Sequence, residues 1–264
     1  MIKRYLSRKY SRIINLLLFV IFASTIFLSA VSAYFLLEEK DSLFCTFGYN
    51  ISRLKFVTYF ICSYANYSNY LEYPCLALLS MCILIHNYGL LLLQYHKSLR
   101  DMDFSKIPAN LEIILKDYNK LEENLIFLKR TLAQPLSLML LIAILNLYTA
   151  LSAVLQLEIL PYKVVGLCTR AFIGVVIFLS LCFFSCRVPK YMMEIQATMG
   201  SLINKHKPKS FTEIFLLHRI EKKDVVYLST YGGIYFKRSF LLSAFGTLLT
   251  YGLLISSLKF SKDK

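Results

Sequence analysis

The chain has 264 residues, of which 57% are hydrophobic and 17% are charged, and its formal net charge is +14. Soluble globular domains are usually about 45–50% apolar, so this composition excludes an ordinary soluble domain and indicates a polytopic membrane protein. The basic charge does not indicate nucleic-acid binding, because Lys and Arg lie between apolar runs rather than on one face of a soluble fold.

Apolar runs of membrane-spanning length divide the chain. A helix of about 20 residues crosses the hydrocarbon core and satisfies its own backbone hydrogen bonds there. Five runs reach this length, and only the fourth contains a charged residue, Arg170. We therefore predict an all-α membrane helix bundle that forms one membrane domain over residues 1–264. Its spans are predicted at about 13–37, 73–95, 132–157, 164–186 and 239–258.

The segments between the spans carry their own patterns. Residues 42–67 are aromatic but contain Arg53 and Lys55, which favours an external loop with an interfacial helix over a span. The cytoplasmic segments 96–131 and 187–238 are predicted to be helical extensions of the bundle.

Two details of these cytoplasmic segments can be predicted. Residues 111–128 repeat apolar side chains every three or four positions, which predicts an amphipathic helix that continues into the third span past Pro135. Asp224 is expected to cap a short helix that Gly232 and Gly233 end.

The distribution of Lys and Arg predicts the orientation. The N-terminal tail and the two cytoplasmic segments hold most of the basic residues. The positive-inside rule therefore places the N-terminus in the cytoplasm and the C-terminus outside the cell.

The first external loop contains candidate modification sites. Glycosylation sequons begin at Asn50 and Asn66, on the side of the membrane where acceptors must lie. Cys45, Cys62 and Cys75 lie where an external disulfide can form, and the sequence leaves their pairing open.

The sequence contains no catalytic or metal-binding pattern. Walker, Rossmann, zinc-protease and nucleophile-elbow motifs are missing, and the seven Cys show no metal-type spacing. His86 lies in the second predicted span without a carboxylate in any predicted span, which favours an interhelical hydrogen bond over proton transfer. We therefore expect no enzyme activity, cofactor or metal, and the missing carboxylates also disfavour a secondary transporter.

Polar side chains recur within the later spans. Ser243, Thr247, Thr250 and Ser257 fall near one face of the last helix, which suits either a helix interface or the wall of an aqueous pore. The third and fourth spans carry polar residues in their predicted outer halves, which suits either a small-molecule pocket or interhelical hydrogen bonds. These pocket candidates are Asn146, Tyr148, Thr149, Ser152, Gln156 and Thr169.

The last span resembles the C-terminal region of arthropod gustatory receptors. That family carries Thr-Tyr, five apolar residues and Gln-Phe; Thr250 and Tyr251 match, while Ser257 and Leu258 stand in place of Gln and Phe. The order of spans and cytoplasmic helices is also similar over about residues 70–260. Since the family has seven spans, the resemblance implies a receptor that lacks the first two and keeps its ends on the same sides.

The resemblance implies a chemosensory receptor of the plasma membrane that acts as a ligand-gated cation channel. Its subunits form a homo- or heterotetramer, a small-molecule tastant binds in the outer half of each subunit, and the segment 224–235 belongs to the intersubunit anchor. The last helix lines the pore, where a hydrophobic residue can gate by dewetting. The resemblance assigns these residues to the pore and gate: Ser243, Thr247, Thr250, Tyr251, Ser257 and Leu258.

A second hypothesis stays open. The chain can be a non-conducting or degenerate multi-span membrane protein, or a receptor subunit that needs a partner, in which the hydroxyl face is only a packing seam. Burial of that face inside the chain's own bundle favours this alternative. A symmetric tetramer with the last helices around its axis favours the channel.

Overall fold

The computed structural model describes residues 2–38, 55–101, 107–154, 161–206, 222–231 and 235–236, together with residues 218, 233, 243, 246, 247 and 250. These residues form an all-α fold, as predicted, and the described part of the chain contains no β-strand beyond one isolated bridge between Ser229 and Tyr235. The helices are α1 (Ile2–Glu38), α2 (Lys55–Tyr67), α3 (Tyr73–Arg100), α4 (Ile107–Val154), α5 (Pro161–Ser185) and α6 (Arg187–His206).

Four helical runs among the described residues are long and apolar enough to cross a membrane: Tyr10–Leu37, Lys55–Arg100, Ile113–Ala153 and Val164–Ser201. They contain most of the first four predicted spans. The fifth predicted span, 239–258, lies outside the described residues except for residues 243, 246, 247 and 250. The chain therefore has the architecture of a multi-pass membrane helix bundle.

The surface of α1 is apolar. Phe19 and Phe27 are 70% and 67% exposed, and Leu16 is 62% exposed. Large apolar side chains exposed along one helix are unfavourable in water and favourable against lipid tails. This helix therefore presents the side chains that a bilayer requires.

The segment before the second predicted span corrects one expectation. Residues 55–67 form α2, which a π-helical turn, Ser68–Glu72, joins to α3 in one continuous helical run rather than as a separate interfacial helix. The backbone N–H of Tyr73 donates to the carbonyl of Ser68, five residues earlier, as the wider π turn requires. The run consequently includes Glu72, which directly precedes the second predicted span.

The amphipathic pattern of α4 is confirmed. Most described positions of the predicted repeat are buried, including Ile114, Tyr118, Leu125 and Leu128. The helix continues through Pro135 without a break, as predicted. The amphipathic segment 111–128 and most of the third predicted span therefore lie on one helix.

The segment after α6 corrects a second expectation. Residues 224–228 are not helical, and the turn that follows brings Ser229 opposite Tyr235. Gly233 has a φ of 78°, and its N–H donates to the Thr230 carbonyl over 3.1 Å. Glycine adopts positive φ without steric cost, so Gly233 lies in a turn rather than at the end of a helix. We call residues 222–236 the strap.

The chain forms two compact units. The first unit comprises Met1–Leu79, Ile142–Ile177 and Leu248–Lys264, and the second unit comprises Ser80–Leu141 and Phe178–Thr247. The helices α3, α4 and α5 each contribute residues to both units.

Candidate functional site

The first unit contains a cavity of about 330 Å³. Its wall combines apolar side chains with hydroxyl, amide and guanidinium groups, which is the composition of small-molecule sites. The residues that line it are Ser32, Leu36, Ser63, Asn66, Tyr67, Tyr70, Ala153, Gly166, Leu167 and Arg170.

Arg170 supplies the positive charge of the cavity. Its guanidinium carbon lies 4.7 Å from the centroid of the Tyr70 ring, within the range of a cation–π interaction. No salt bridge among the described residues includes Arg170. Arg170 also forms a side-chain hydrogen bond with Tyr70. Tyr70 therefore holds the charge, and the other guanidinium N–H groups can donate to a ligand that accepts hydrogen bonds.

A hydrogen bond joins α1 to α2 at the cavity wall. The Ser32 hydroxyl and the Tyr67 hydroxyl lie 2.8 Å apart, and Tyr67 is buried. Either hydroxyl can be the donor, so the pair can offer the remaining proton or lone pair to a bound molecule.

Glu72 lies on the π-helical turn that also carries Tyr70. Its carboxylate is buried and accepts hydrogen bonds from Ser68 Oγ over 3.1 Å and from Tyr64 Oη over 3.5 Å. Buried carboxylates in membrane helices are costly unless hydrogen-bonded. These contacts fix the shape of the turn and hence the position of Tyr70 at the cavity.

The described pocket candidates lie on α4 and α5 but are not among the residues that line the cavity. Tyr148 is exposed, Thr149 donates to the Leu145 carbonyl over 2.6 Å, and Thr169 donates to the Val165 carbonyl over 2.8 Å. Their neighbours Ala153, Gly166, Leu167 and Arg170 line the cavity instead.

The remaining pocket candidates are Asn146, Ser152 and Gln156. Asn146 is buried, and no hydrogen-bond partner of its side-chain nitrogen lies among the described residues. Ser152 is half-buried next to Ala153. Gln156 lies outside the described residues.

Sequence reasoning missed the contribution of α2 to the cavity. Ser63, Asn66, Tyr67 and Tyr70 recur at three- and four-residue spacing, which marks one face of a helix. The pattern was present in the sequence, but the segment was interpreted as an external loop with an interfacial helix rather than as part of the wall of a ligand site.

Close contact between α4 and α5 supports the cavity wall. A Cβ atom built on Gly174 would lie 2.8 Å from Leu147 Cγ and 3.0 Å from the Ala143 carbonyl oxygen. Small residues allow membrane helices to approach in this way. Gly174 therefore sets the spacing of the two helices that carry Ala153 and Arg170.

The described pore candidates are exposed. Ser243, Thr247 and Thr250 are helical, and none is buried within the chain. Thr247 Oγ1 donates to the Ser243 carbonyl over 2.8 Å, so its proton is used within the helix while both lone pairs of the oxygen can still accept hydrogen bonds. Tyr251, Ser257 and Leu258 lie outside the described residues.

The strap is fixed to the second unit. Lys223 Nζ donates to Asn119 Oδ1 over 2.8 Å and forms a salt bridge with Glu122. The Val226 N–H donates to Met192 Sδ over 3.3 Å. The resemblance assigns part of this segment to an intersubunit anchor, and these contacts attach it to α4 and α6 of its own subunit.

The second unit also contains an apolar groove with a basic end, about 900 Å³ in volume. It is formed by the end of α5 and the start of α6. Leu179, Phe183 and Phe184 line one part of it, and Arg187 and Lys190 line another.

The structure describes some of the glycosylation and disulfide candidates predicted for the first external loop. Asn66 is an exposed residue of α2 and lines the cavity. Cys62 and Cys75 are half-buried on α2 and α3. Asn50 and Cys45 lie outside the described residues.

Comparison of the sequence with models of known protein families and with curated proteins found no significant match. Among the described residues, no group of three or more His, Cys, Asp or Glu side chains is arranged to hold a metal ion.

Proposed function

We propose that the chain is a chemosensory receptor subunit of the arthropod gustatory type, which forms a ligand-gated cation channel in the plasma membrane. The observation that carries the proposal is the exposed hydroxyl face of Ser243, Thr247 and Thr250 within an uncharged apolar run. Hydroxyl groups on a membrane helix gain little from lipid tails, so their exposure favours a role in contact with water, ions or other subunits.

The cavity of the first unit supports the receptor part of the proposal. Its volume of about 330 Å³ fits a small molecule, and polar groups converge on it from α1, α2 and α5. Arg170 and the tyrosine hydroxyls favour a tastant with oxygen acceptors, such as a polyol or a carboxylic acid.

Four subunits arranged around an axis would bring four copies of the hydroxyl face together. The Thr247 hydroxyl already donates its proton to the helix, so its oxygen offers lone pairs to water or a passing cation. The alternative is a non-conducting or partner-dependent subunit, in which the same face packs against another helix.

Whole-cell recording from cells that express this chain alone tests the proposal. Sugars, bitter compounds and small acids are applied while an external C-terminal tag reports surface expression. An evoked cation current supports the channel, and silence with the tag at the surface supports the alternative.

Cysteine modification then locates the pore. A cationic thiol reagent should block the current of Thr247→Cys and leave the current of the unsubstituted chain unchanged. Exposed Cys168 is present in both proteins, so any effect of its modification would appear in both. Equal block of both proteins would remove Thr247 from the conduction path.

A further inference from the structure

The groove of the second unit has an apolar part and a cationic part, which match the acyl chain and the anionic headgroup of a phospholipid. Leu179 and Phe183 are 47% and 60% exposed beside it, whereas Arg187 and Lys190 are cationic. An acyl chain packs against an apolar surface, and an anionic headgroup binds to cationic side chains.

The charge of Arg187 is not neutralised by an acid in the described part of the chain. Its guanidinium carbon lies 4.6 Å from the Phe183 centroid and 5.3 Å from the Phe184 centroid, and Nη1 lies 3.1 Å from His86 Nδ1. None of these neighbours is a carboxylate. Arg187 is therefore preorganised by aromatic stacking, with its positive charge available to an anion.

Lys190 adds a second cation, which is exposed at the surface. Its Nζ lies 3.8 Å from the Glu194 carboxylate, but the two side chains are 61% and 37% exposed. Exposed ion pairs of this kind are weak. A phosphate near Arg187 can therefore compete with Glu194 for Lys190.

The position in the membrane selects the occupant. Arg187 and Lys190 follow directly on α5, at the end that the positive-inside rule places in the cytoplasm. Anionic phospholipids are concentrated in the cytoplasmic leaflet, and basic pockets between membrane helices bind their headgroups. We propose that this groove binds an anionic phospholipid of the cytoplasmic leaflet, with its phosphate at Arg187 and Lys190 and an acyl chain along Leu179 and Phe183.

The chain contains no Trp, so a single introduced indole can report lipid contact at this groove. Phe183→Trp keeps an aromatic partner for Arg187, since indole is the best cation–π acceptor. The matched control is Phe172→Trp, an exposed position of the same helix in the other unit. Both proteins are reconstituted with brominated phosphatidylserine or brominated phosphatidylcholine, and fluorescence quenching gives the relative affinity.

We expect about fivefold preference for brominated phosphatidylserine at Phe183→Trp and no preference at Phe172→Trp. Adding Lys190→Gln to Phe183→Trp should reduce the preference. Adding Arg130→Gln, which removes an exposed charge on α4 outside the groove, should leave it unchanged.

Equal quenching by the two lipids at Phe183→Trp would overturn the proposal, as would an equal loss of preference in the Lys190→Gln and Arg130→Gln proteins. Protection of the Phe183→Trp indole from both lipids, with a dimer on size-exclusion chromatography, would also overturn it, because a second chain would then fill the groove. Retention time and thermal melting confirm that each variant is folded.

Discussion

The guanidinium of Arg170 on α5 lies over the ring of Tyr70 on the π-helical turn, with 4.7 Å between the guanidinium carbon and the ring centroid. Two features that are individually costly in a membrane helix, a charge and a π turn, thus meet at one cavity. Arg in a span and π turns are both associated with functional sites. Their contact makes the cavity the strongest candidate for ligand binding in the first unit.

Arg170→Gln should weaken the response to the activating ligand. Loss of the cation is expected to raise the half-maximal ligand concentration by about tenfold, equivalent to about 1.4 kcal/mol. Arg170→Lys should retain part of the response, because the charge remains while the planar fork of donors is lost. Concentration–response curves from cells with matched surface expression measure both effects.

The control for this prediction is Thr169→Val on the same helix. The Thr169 hydroxyl donates to the Val165 carbonyl rather than into the cavity, so its removal should leave the curve unchanged. An unchanged curve for Arg170→Gln would exclude Arg170 from ligand recognition.

The sequence predicted α4 and α5 well because their physical signals are strong. The apolar repeat of residues 111–128 can be buried only on one face of a helix, and 164–186 is long enough to span a bilayer. Both features depend on local sequence alone, and the helices observed match them.

The cavity and the strap could not be predicted in the same way. The cavity depends on which faces of α1, α2 and α5 meet, and this is decided by contacts between residues far apart in sequence, such as Ser32 and Tyr67. Lys55 and Arg53 also favoured an external loop with an interfacial helix over a span where α2 begins, although a Lys at a helix end can extend its charge to the interface. The strap is held by tertiary bonds to Met192 and Asn119, which override the capping preference of Asp224.

Glycosylation is expected to differ between the two sequons. Asn66 lies within α2 and lines the cavity, and the hydroxyl of Ser68 in the same sequon donates to Glu72. A helical sequon whose Ser is already bonded is a poor acceptor, since acceptor sites lie in surface loops. Asn66→Gln should therefore leave the glycosidase-sensitive mass of the protein unchanged.

The companion variant is Asn50→Gln, which should remove any glycosidase-sensitive mass that the chain carries. Electrophoresis of protein from the same cells, before and after glycosidase treatment, compares the two. A mass decrease in Asn66→Gln alone would show that α2 is unfolded when the sequon is modified.

Gly174→Ala should destabilise the bundle. The added methyl group would lie 2.8 Å from Leu147 Cγ and 3.0 Å from the Ala143 carbonyl, so α4 and α5 must separate. Overpacking of this kind typically costs about 1–3 kcal/mol. Thermal melting of detergent-purified protein, followed by size-exclusion chromatography, should show a lower midpoint.

Gly166→Ala is the matched control, because no atom outside its own stretch of helix backbone lies within 4 Å of the Cβ position at Gly166. Both residues lie on α5, so the two variants make the same change in helix propensity. Equal melting of Gly174→Ala and Gly166→Ala would contradict the close approach of α4 and α5.

Lys223→Met should loosen the strap. The side chains of Lys223 and Glu122 are only 20% and 19% exposed, and Lys223 also donates to Asn119. Removing the cation leaves the Glu122 carboxylate largely shielded from water without its partner, which is expected to cost about 1–3 kcal/mol. The double variant Lys223→Met with Glu122→Gln should lose less stability than the sum of the two single variants, because the pair acts as a unit.

The comparison that decides this prediction is Lys190→Met. Lys190 pairs with Glu194 at the surface, where such pairs contribute about 0–1 kcal/mol. Melting midpoints measured in the same neutral detergent should therefore fall by several degrees for Lys223→Met and much less for Lys190→Met, since about 1 kcal/mol shifts the midpoint of a chain of this size by about 2–4 °C. Additive losses in the double variant would mean that Lys223 and Glu122 stabilise the strap independently.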